Sequence, residues 1–317
     1  KWDLPTAYPA SNFHTENAQQ FATDVDKATG GKLKIQVHAN ASLFKAPEIK
    51  RAVQGNQAQS GEILLVNFEN ENPLFGVDGL PFLATSYPNA KKLWLASKPT
   101  IEKKLASQGL MLLFAVPWGP QGIYAKKDLN SLEDMKGLKI RAATRANSKM
   151  IASLGATPVQ MPLPQVPESL SKSVVDGAAV PWEGTPAIKL SEIAKYHLDV
   201  PAGSPRISNS IFIFGMNQAK YDSLPPDLRK VIDANSGAAA AKAFGRQWDA
   251  SAPPARKLAV DRGNTFYVIP ASELANWEKA TANLDDDWVK DVTAKGNDGK
   301  MLLQTARDLI RKYEGTK

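Results

Sequence analysis

A chain of 317 residues, 43% of them hydrophobic, carries enough apolar material for two cores, and the absence of cysteine excludes disulfides, thiolate metal sites and cysteine nucleophiles. Its formal charge of +7, from 39 basic and 32 acidic residues, is scattered rather than gathered in one stretch, which argues against a nucleic-acid partner and for weak attraction of small anions. No apolar run approaches the roughly 20 residues that a membrane-spanning helix requires.

Along the chain, Ala18, Phe21, Ala22, Val25 and Ala28 recur at helical spacing, and Gly30 and Gly31 stop that helix. In KLKIQVH, residues 32–38, the apolar Leu33, Ile35 and Val37 alternate with polar neighbours, the period of a strand with one wetter face. Pro47 opens a short helix that Gly55 closes. The continuous apolar runs ILLVN (63–67) and LMLLFAV (110–116) predict strands buried on both faces, with a helical stretch through Leu93, Trp94, Ile101 and Leu105 between them.

The alternation then restarts with the strand LKIRAA (138–143), a helix around Met150, Ile151 and Leu154, the strand-like TPVQM (157–161), and a helix opened by prolines near Leu163. From Pro225 to about Arg262 the pattern is helical, and the adjacent Pro253 and Pro254 predict a kink or a break. NTFYVI (264–269) reads as a strand and 301–313 as an amphipathic helix. Alternating β and α elements predict an α/β fold, with open sheets covered by helices.

In such sheets ligands bind beyond the carboxyl ends of strands, which singles out several residues. Arg141 ends a strand with a planar, permanently charged fork suited to a carboxylate, although composition alone favours a surface arginine near Glu133 or Asp134. Trp118 follows LMLLFAV, as a ligand wall or a hinge-packing residue, and Trp182 holds the matching place after VVDGAAVP. Asn67, Phe68 and Glu69 follow ILLV, where strand-end capping is the simpler alternative. Glu183 can accept from a hydroxyl or ammonium group, or serve as a rim acid or partner of Arg141.

His14 opens the first helix, where Asn12 or Thr15 is placed to cap it. His38 and His197 lack neighbours at metal-ligand spacing, and Arg145 and Arg206 read as solvated. No G-x-S-x-G turn, H-E-x-x-H pair or glycine-rich phosphate loop is present, so enzymatic activity is not expected.

The segments FATDVDKATGGKLKIQV, AVQGNQAQSGEILLVNF, FGVDGLPFLATSYPNA, SLEDMKGLKIR, LGATPVQMP, VVDGAAVP and YDSLPPDLRKVI, in this order and spacing, resemble the solute-binding proteins of tripartite ATP-independent periplasmic (TRAP) transporters. The resemblance covers nearly the whole chain. It implies a two-lobed periplasmic-binding-protein fold with a central cleft and a long kinked helix shared by the lobes, with 1–122 plus 211–250 as lobe I and 123–210 plus 251–317 as lobe II. It further implies a periplasmic receptor, exported with a cleaved signal peptide, that closes on a small organic acid and hands it to the membrane permease. A monomer without cofactor or metal is expected. Through the GLKIR motif, the family's carboxylate-binding arginine corresponds to Arg141.

Departures from the family pattern bear on the ligand. Gln121 stands where some members carry a second arginine, Val180 where receptors for sialic-acid-like ligands carry asparagine, and Gln165 and Pro167 where relatives have glutamate and tyrosine. The expected ligand set is therefore Arg141, Trp118, Trp182, Phe68, Asn67, Gln121, Glu183 and His14. Two tryptophans and few polar positions favour a monocarboxylate with an aromatic side chain, a 2-oxo or 2-hydroxy acid such as benzoylformate or mandelate. Aliphatic 2-oxo acids, sugar acids and a sensory ligand-binding role are the alternatives.

Overall fold

The computed structural model describes residues 1–83, 87–117, 119, 121–201 and 207–313. Trp118 and Arg206 lie outside these residues. Its strands in chain order are β1 (Trp2–Pro5), β2 (Ile35–His38), β3 (Ser60–Leu64), β4 (Leu110–Pro117), β5 (Gln121–Ala125), β6 (Lys139–Ala142), β7 (Thr157–Gln160), β8 (Gly177–Pro181), β9 (Tyr196–Asp199), β10 (Ile211–Asn217) and β11 (Thr265–Val268). The helices are α1 (Phe13–Ala28), α2 (Ala46–Gln54), α3 (Tyr87–Ala106), α4 (Arg145–Ser153), α5 (Val166–Ser171), α6 (Leu190–Ile193), α7 (Gln218–Asp222), α8 (Pro226–Ala234), α9 (Gly237–Asp261), α10 (Ala271–Thr281), α11 (Asn283–Ala294) and α12 (Gly299–Tyr313).

The chain divides into two compact units, one of Lys1–Leu65, Ser97–Val116 and Ile211–Asp249, the other of Val66–Ala96, Pro117–Ser210 and Ala250–Lys317. The expected lobe I ran without interruption from 1 to 122, whereas residues 66–96 group with the second unit. Packing supplies the reason: Leu74, Val77, Leu80 and Leu83 share an apolar cluster with Trp288, Val292, Leu303 and Ile310 of α11 and α12. Trp288 Nε1 also donates to the carbonyl of Pro73 at 2.9 Å.

In the first unit β1 and β2 pair in parallel, and β10 lies between β3 and β4, antiparallel to β3. Phe114 and Phe214 stack at 4.5 Å, with Phe244 of α9 4.8 Å from Phe114. The expected strand 63–67 is displaced: β3 ends at Leu64, and Leu65–Phe68 forms a 3₁₀ turn. Polar Glu62 sits inside the strand because Thr6 Oγ1 donates to its Oε2 at 2.6 Å and His14 Nδ1 meets its Oε1 at 2.5 Å.

The second unit is built on a six-stranded sheet in the order β11-β9-β5-β8-β6-β7. All its pairings are parallel except those of β5, which runs antiparallel to β8 and β9. One face of this sheet carries Ile123, Ile140, Ala179 and Leu198 into a core closed by Met150 and Ile151 of α4 and by Leu274 and Trp277 of α10. The parallel strands therefore finish together at one edge, at Ala142, Gln160, Pro181, Asp199 and Val268.

The helical reading of 225–262 holds, with one further gap that the sequence did not mark. The chain leaves α8 at Asn235 and re-enters α9 at Gly237, whose φ of +68° is costly for any residue with a Cβ. Pro253 and Pro254 lie inside α9, which is the long kinked helix and runs from Gly237 to Asp261. One of the crossings between the two units falls within α9, between Asp249 and Ala250.

Candidate ligand-binding site

Arg141 lies next to the end of β6, is only 3% exposed, and reaches across the sheet edge. Its Nε donates to the carbonyl of Met161 at 3.0 Å and its Nη1 to that of Ala179 at 2.8 Å. Both acceptors are backbone groups of fixed position, so the plane of the guanidinium is set by the sheet itself. A buried arginine oriented by neutral carbonyls is a preorganised partner for an anion.

Register places further side chains on Arg141's face. Arg141 pairs with Ala178, Ala178 with Tyr124, Tyr124 with His197, and His197 with Phe266, a single row across five strands. Trp182, half-buried where β8 ends, meets Tyr124 edge-on at 5.0 Å and stacks on Phe266 at 5.8 Å. Arg256 of α9 caps the row, 4.5 Å above the Phe266 ring. Burial, followed by the charges of Asp199 and Glu183, holds the Tyr124 phenol well above its usual pKa, so it stays protonated.

At the same edge Gln121 begins β5 opposite Pro181 and is buried. Its Nε2 donates to Asn147 Oδ1 at 3.1 Å, and Asn147 Nδ2 donates in turn to Ser208 Oγ at 3.0 Å. Asn147 is held in place because Thr144 Oγ1 caps α4 by accepting from its backbone N–H at 3.1 Å. Glu183 is buried against Gly119, where an added Cβ would lie 2.8 Å from Oε2.

The structure thus brings Arg141, Gln121, Trp182 and Glu183 to one edge of one sheet. Asn67 is half-buried and Phe68 buried in the 3₁₀ turn after β3, on a segment that adjoins α4 through Val66, Gly79 and Ala146. His14 lies in the first unit, stacked on Tyr8 at 4.1 Å and bound to Glu62, with its backbone N–H donating to Asn12, the cap of α1. Arg145 is exposed. Tyr124, Asn147 and Ser208 did not emerge from the sequence reading. The strand pairing of QGIYA with GAAVP is the signal that would have exposed Tyr124.

A cavity of ≈ 80 Å³ opens elsewhere in the second unit, lined by Glu69, Arg145, Lys149, Asp287, Trp288 and Asp291 among others. Burial raises the pKa of Glu69 against the pull of Lys149 and Arg145. Neither Arg141 nor any other residue of the expected ligand set lines this cavity. Among the described residues no group of three or more histidines and carboxylates is arranged to hold a metal ion, and no helix is long and apolar enough to cross a membrane.

His197 gives the sheet a pH dependence. Burial, then the charge of Arg256, lowers its pKa from 6.5 to about 4, while Asn264 Nδ2 contacts its Nε2 at 2.8 Å. The unfolded chain therefore takes up this proton before the folded one does, and stability is lost as the pH falls from 6.5 towards 4. We expect His197→Gln to gain on the native protein across that window, by up to roughly 3 kcal/mol at its acid end. Urea titrations of both proteins at several pH values measure the difference, and a constant gap would refute a neutral, buried imidazole.

The chain matches the family described as bacterial extracellular solute-binding protein, family 7, over residues 6–291. The solved structure of DctP6, a Bordetella pertussis extracytoplasmic solute receptor binding pyroglutamic acid, is 40% identical, with 98% of this chain and 99% of that one covered and a TM-score of 0.88. A marine metagenome TRAP solute-binding protein specific for aromatic acid ligands, solved with 3-hydroxybenzoate, is 33% identical over 98% of both chains with a TM-score of 0.90. A TRAP solute-binding protein from Rhodoferax ferrireducens T118, solved with copurified benzoate, is 31% identical over 98% of both chains, also with a TM-score of 0.90. These relatives are receptors rather than enzymes, and the fold of this chain is theirs. The chain belongs to the family 7 extracellular solute-binding proteins, the receptors that take up small organic acids for TRAP transporters.

Proposed function

We propose that the protein is a periplasmic receptor for a small cyclic or aromatic monocarboxylate, which Arg141 grips by its carboxylate. The observation that carries this reading is the buried guanidinium, oriented at the sheet edge by Met161 O and Ala179 O. Trp182 supplies a flat apolar surface at the same sheet edge, packed on Tyr124 and Phe266, and Gln121 stands in place of a second arginine, so Arg141 is the one strong anion anchor in this reading. Aromatic 2-oxo and 2-hydroxy acids such as benzoylformate and mandelate satisfy this description. So do the ligands carried by the relatives, pyroglutamate, 3-hydroxybenzoate and benzoate.

The two compact units act as hinged lobes in this reading, with the ligand binding the closed state better than the open one, since only differential affinity drives closure. The loaded receptor, exported by a cleaved signal peptide and acting as a monomer, then delivers its ligand to the TRAP permease.

Thermal-shift measurements against a panel of organic acids test the ligand class. A matched monocarboxylate at 100 times its Kd stabilises the folded protein by about 2.7 kcal/mol. Stabilisation by uronates, aliphatic 2-oxo acids or dicarboxylates alone would sink the preference for a ring-bearing monocarboxylate.

A further inference from the structure

We propose that the cavity lined by α4, α11 and the segment 69–81 is a second small-ligand site, separate from Arg141, and that it takes a small zwitterion with a carboxylate at one end and an ammonium group at the other, as in a free amino acid. A charge pattern carries this. On α4, Arg145 and Lys149 stand one turn apart and line the cavity, and on α11 Asp287 and Asp291 do the same with the opposite sign. Side chains four residues apart on a helix are neighbours, so each helix sets two like charges together, against its own stability. Arg145 also occupies the first position of α4, directly after the cap Thr144, where the helix dipole disfavours a cation.

The two pairs are complementary, yet they do not meet. Among the described residues no ion pair joins either cation of α4 to either aspartate of α11. What these side chains do reach is looser: Lys149 Nζ lies 3.9 Å from Glu69 Oε1, and Lys290 Nζ lies 3.8 Å from Asp287 Oδ1. Both distances exceed hydrogen-bond reach. Opposite charges held apart across a cavity are matched by a molecule that carries both signs, its carboxylate towards Arg145 and Lys149 and its ammonium towards the aspartates. A simple anion or a simple cation would be repelled by one side.

Glu69 adds a third carboxylate to the lining. Its side chain is only 18% exposed and lies against Gly76, where a Cβ would fall 3.0 Å from Oε2. Among the described residues no group donates a hydrogen bond to this carboxylate, and burial raises its pKa even against Lys149 and Arg145. An ammonium donor is its complement. Trp288 is buried between the two aspartates in sequence and lines the same cavity, with its one donor already given to the Pro73 carbonyl at 2.9 Å. The cavity of ≈ 80 Å³ has room for roughly half a dozen water-sized groups, the scale of a small amino acid.

Calorimetric titration of the native protein with glycine, β-alanine and 4-aminobutyrate, which space the two charges progressively, tests the proposal against acetate and ethylammonium, which carry one charge each. At least one of the three amino acids is expected to bind with a Kd below about 1 mM, and both single-charge controls about tenfold or more weakly. Two double variants remove one end each: Arg145→Gln with Lys149→Gln, and Asp287→Asn with Asp291→Asn. Each is expected to weaken the amino acid about tenfold or more, with melting curves confirming the fold. The proposal is overturned if none of the three binds, if a single-charge control binds as tightly, or if both double variants leave the affinity unchanged, which would put the amino acid at Arg141 instead.

Discussion

Arg141→Ala is expected to raise the Kd for any monocarboxylate ligand at least a hundredfold, for a loss of roughly 3–5 kcal/mol. The size follows from burial. At 3% exposure the guanidinium sits in a poorly screened environment, and its removal leaves the ligand carboxylate desolvated and unpaired rather than returned to water. Arg141→Lys is expected to recover only part of the loss, because an ammonium cannot reproduce the two-point fork or donate to Met161 O and Ala179 O together. Calorimetry on a ligand that stabilises the native protein measures both variants. Near-native affinity of the alanine variant would end the assignment.

Trp277→Ala is expected to destabilise the second unit by about 3–5 kcal/mol, lowering its melting temperature by on the order of 10 °C. Trp277 is fully buried in α10, against the face of the sheet opposite the Arg141 row, among Ile140, Met150 and Leu274. Its Nε1 donates to Glu273 Oε1 at 3.1 Å, and the same oxygen accepts the backbone N–H of Leu132 at 2.6 Å. The cavity left behind would thus loosen the segment that leads into β6 as well as the core beneath it. Differential scanning calorimetry reads the shift, and a loss below 1 kcal/mol would mean that the core does not depend on this ring.

Much of the second unit was legible in the sequence. GLKIR predicts a strand and β6 forms there, and helix and strand follow at α4 and β7. Short strands were less visible. WDLP carries a proline and offers no alternation, and only its parallel pairing with β2 makes it β1. ILLVN misled because apolar content does not mark where a strand stops. The 3₁₀ turn of Leu65–Phe68 is as apolar as β3, while Glu62 within the strand is polar and held by partners far away in sequence.

Pro253 and Pro254 predicted a kink or a break, and the long kinked helix is what forms: α9 keeps both prolines inside one helix. Tyr124 stayed hidden for a different reason. An aromatic residue in QGIYA reads as core, and only strand register shows that it shares a row with Arg141.

Inside α9, a proline at position i leaves the carbonyl at i−4 without its amide. Pro253 and Pro254 therefore unlace the carbonyls of Asp249 and Ala250, the last residue of the first unit and the first of the second. A helical rod resists bending through the ladder that ties turn to turn, and at this seam two rungs are missing. The helix is therefore least stiff around its two prolines, although it runs unbroken from Gly237 to Asp261.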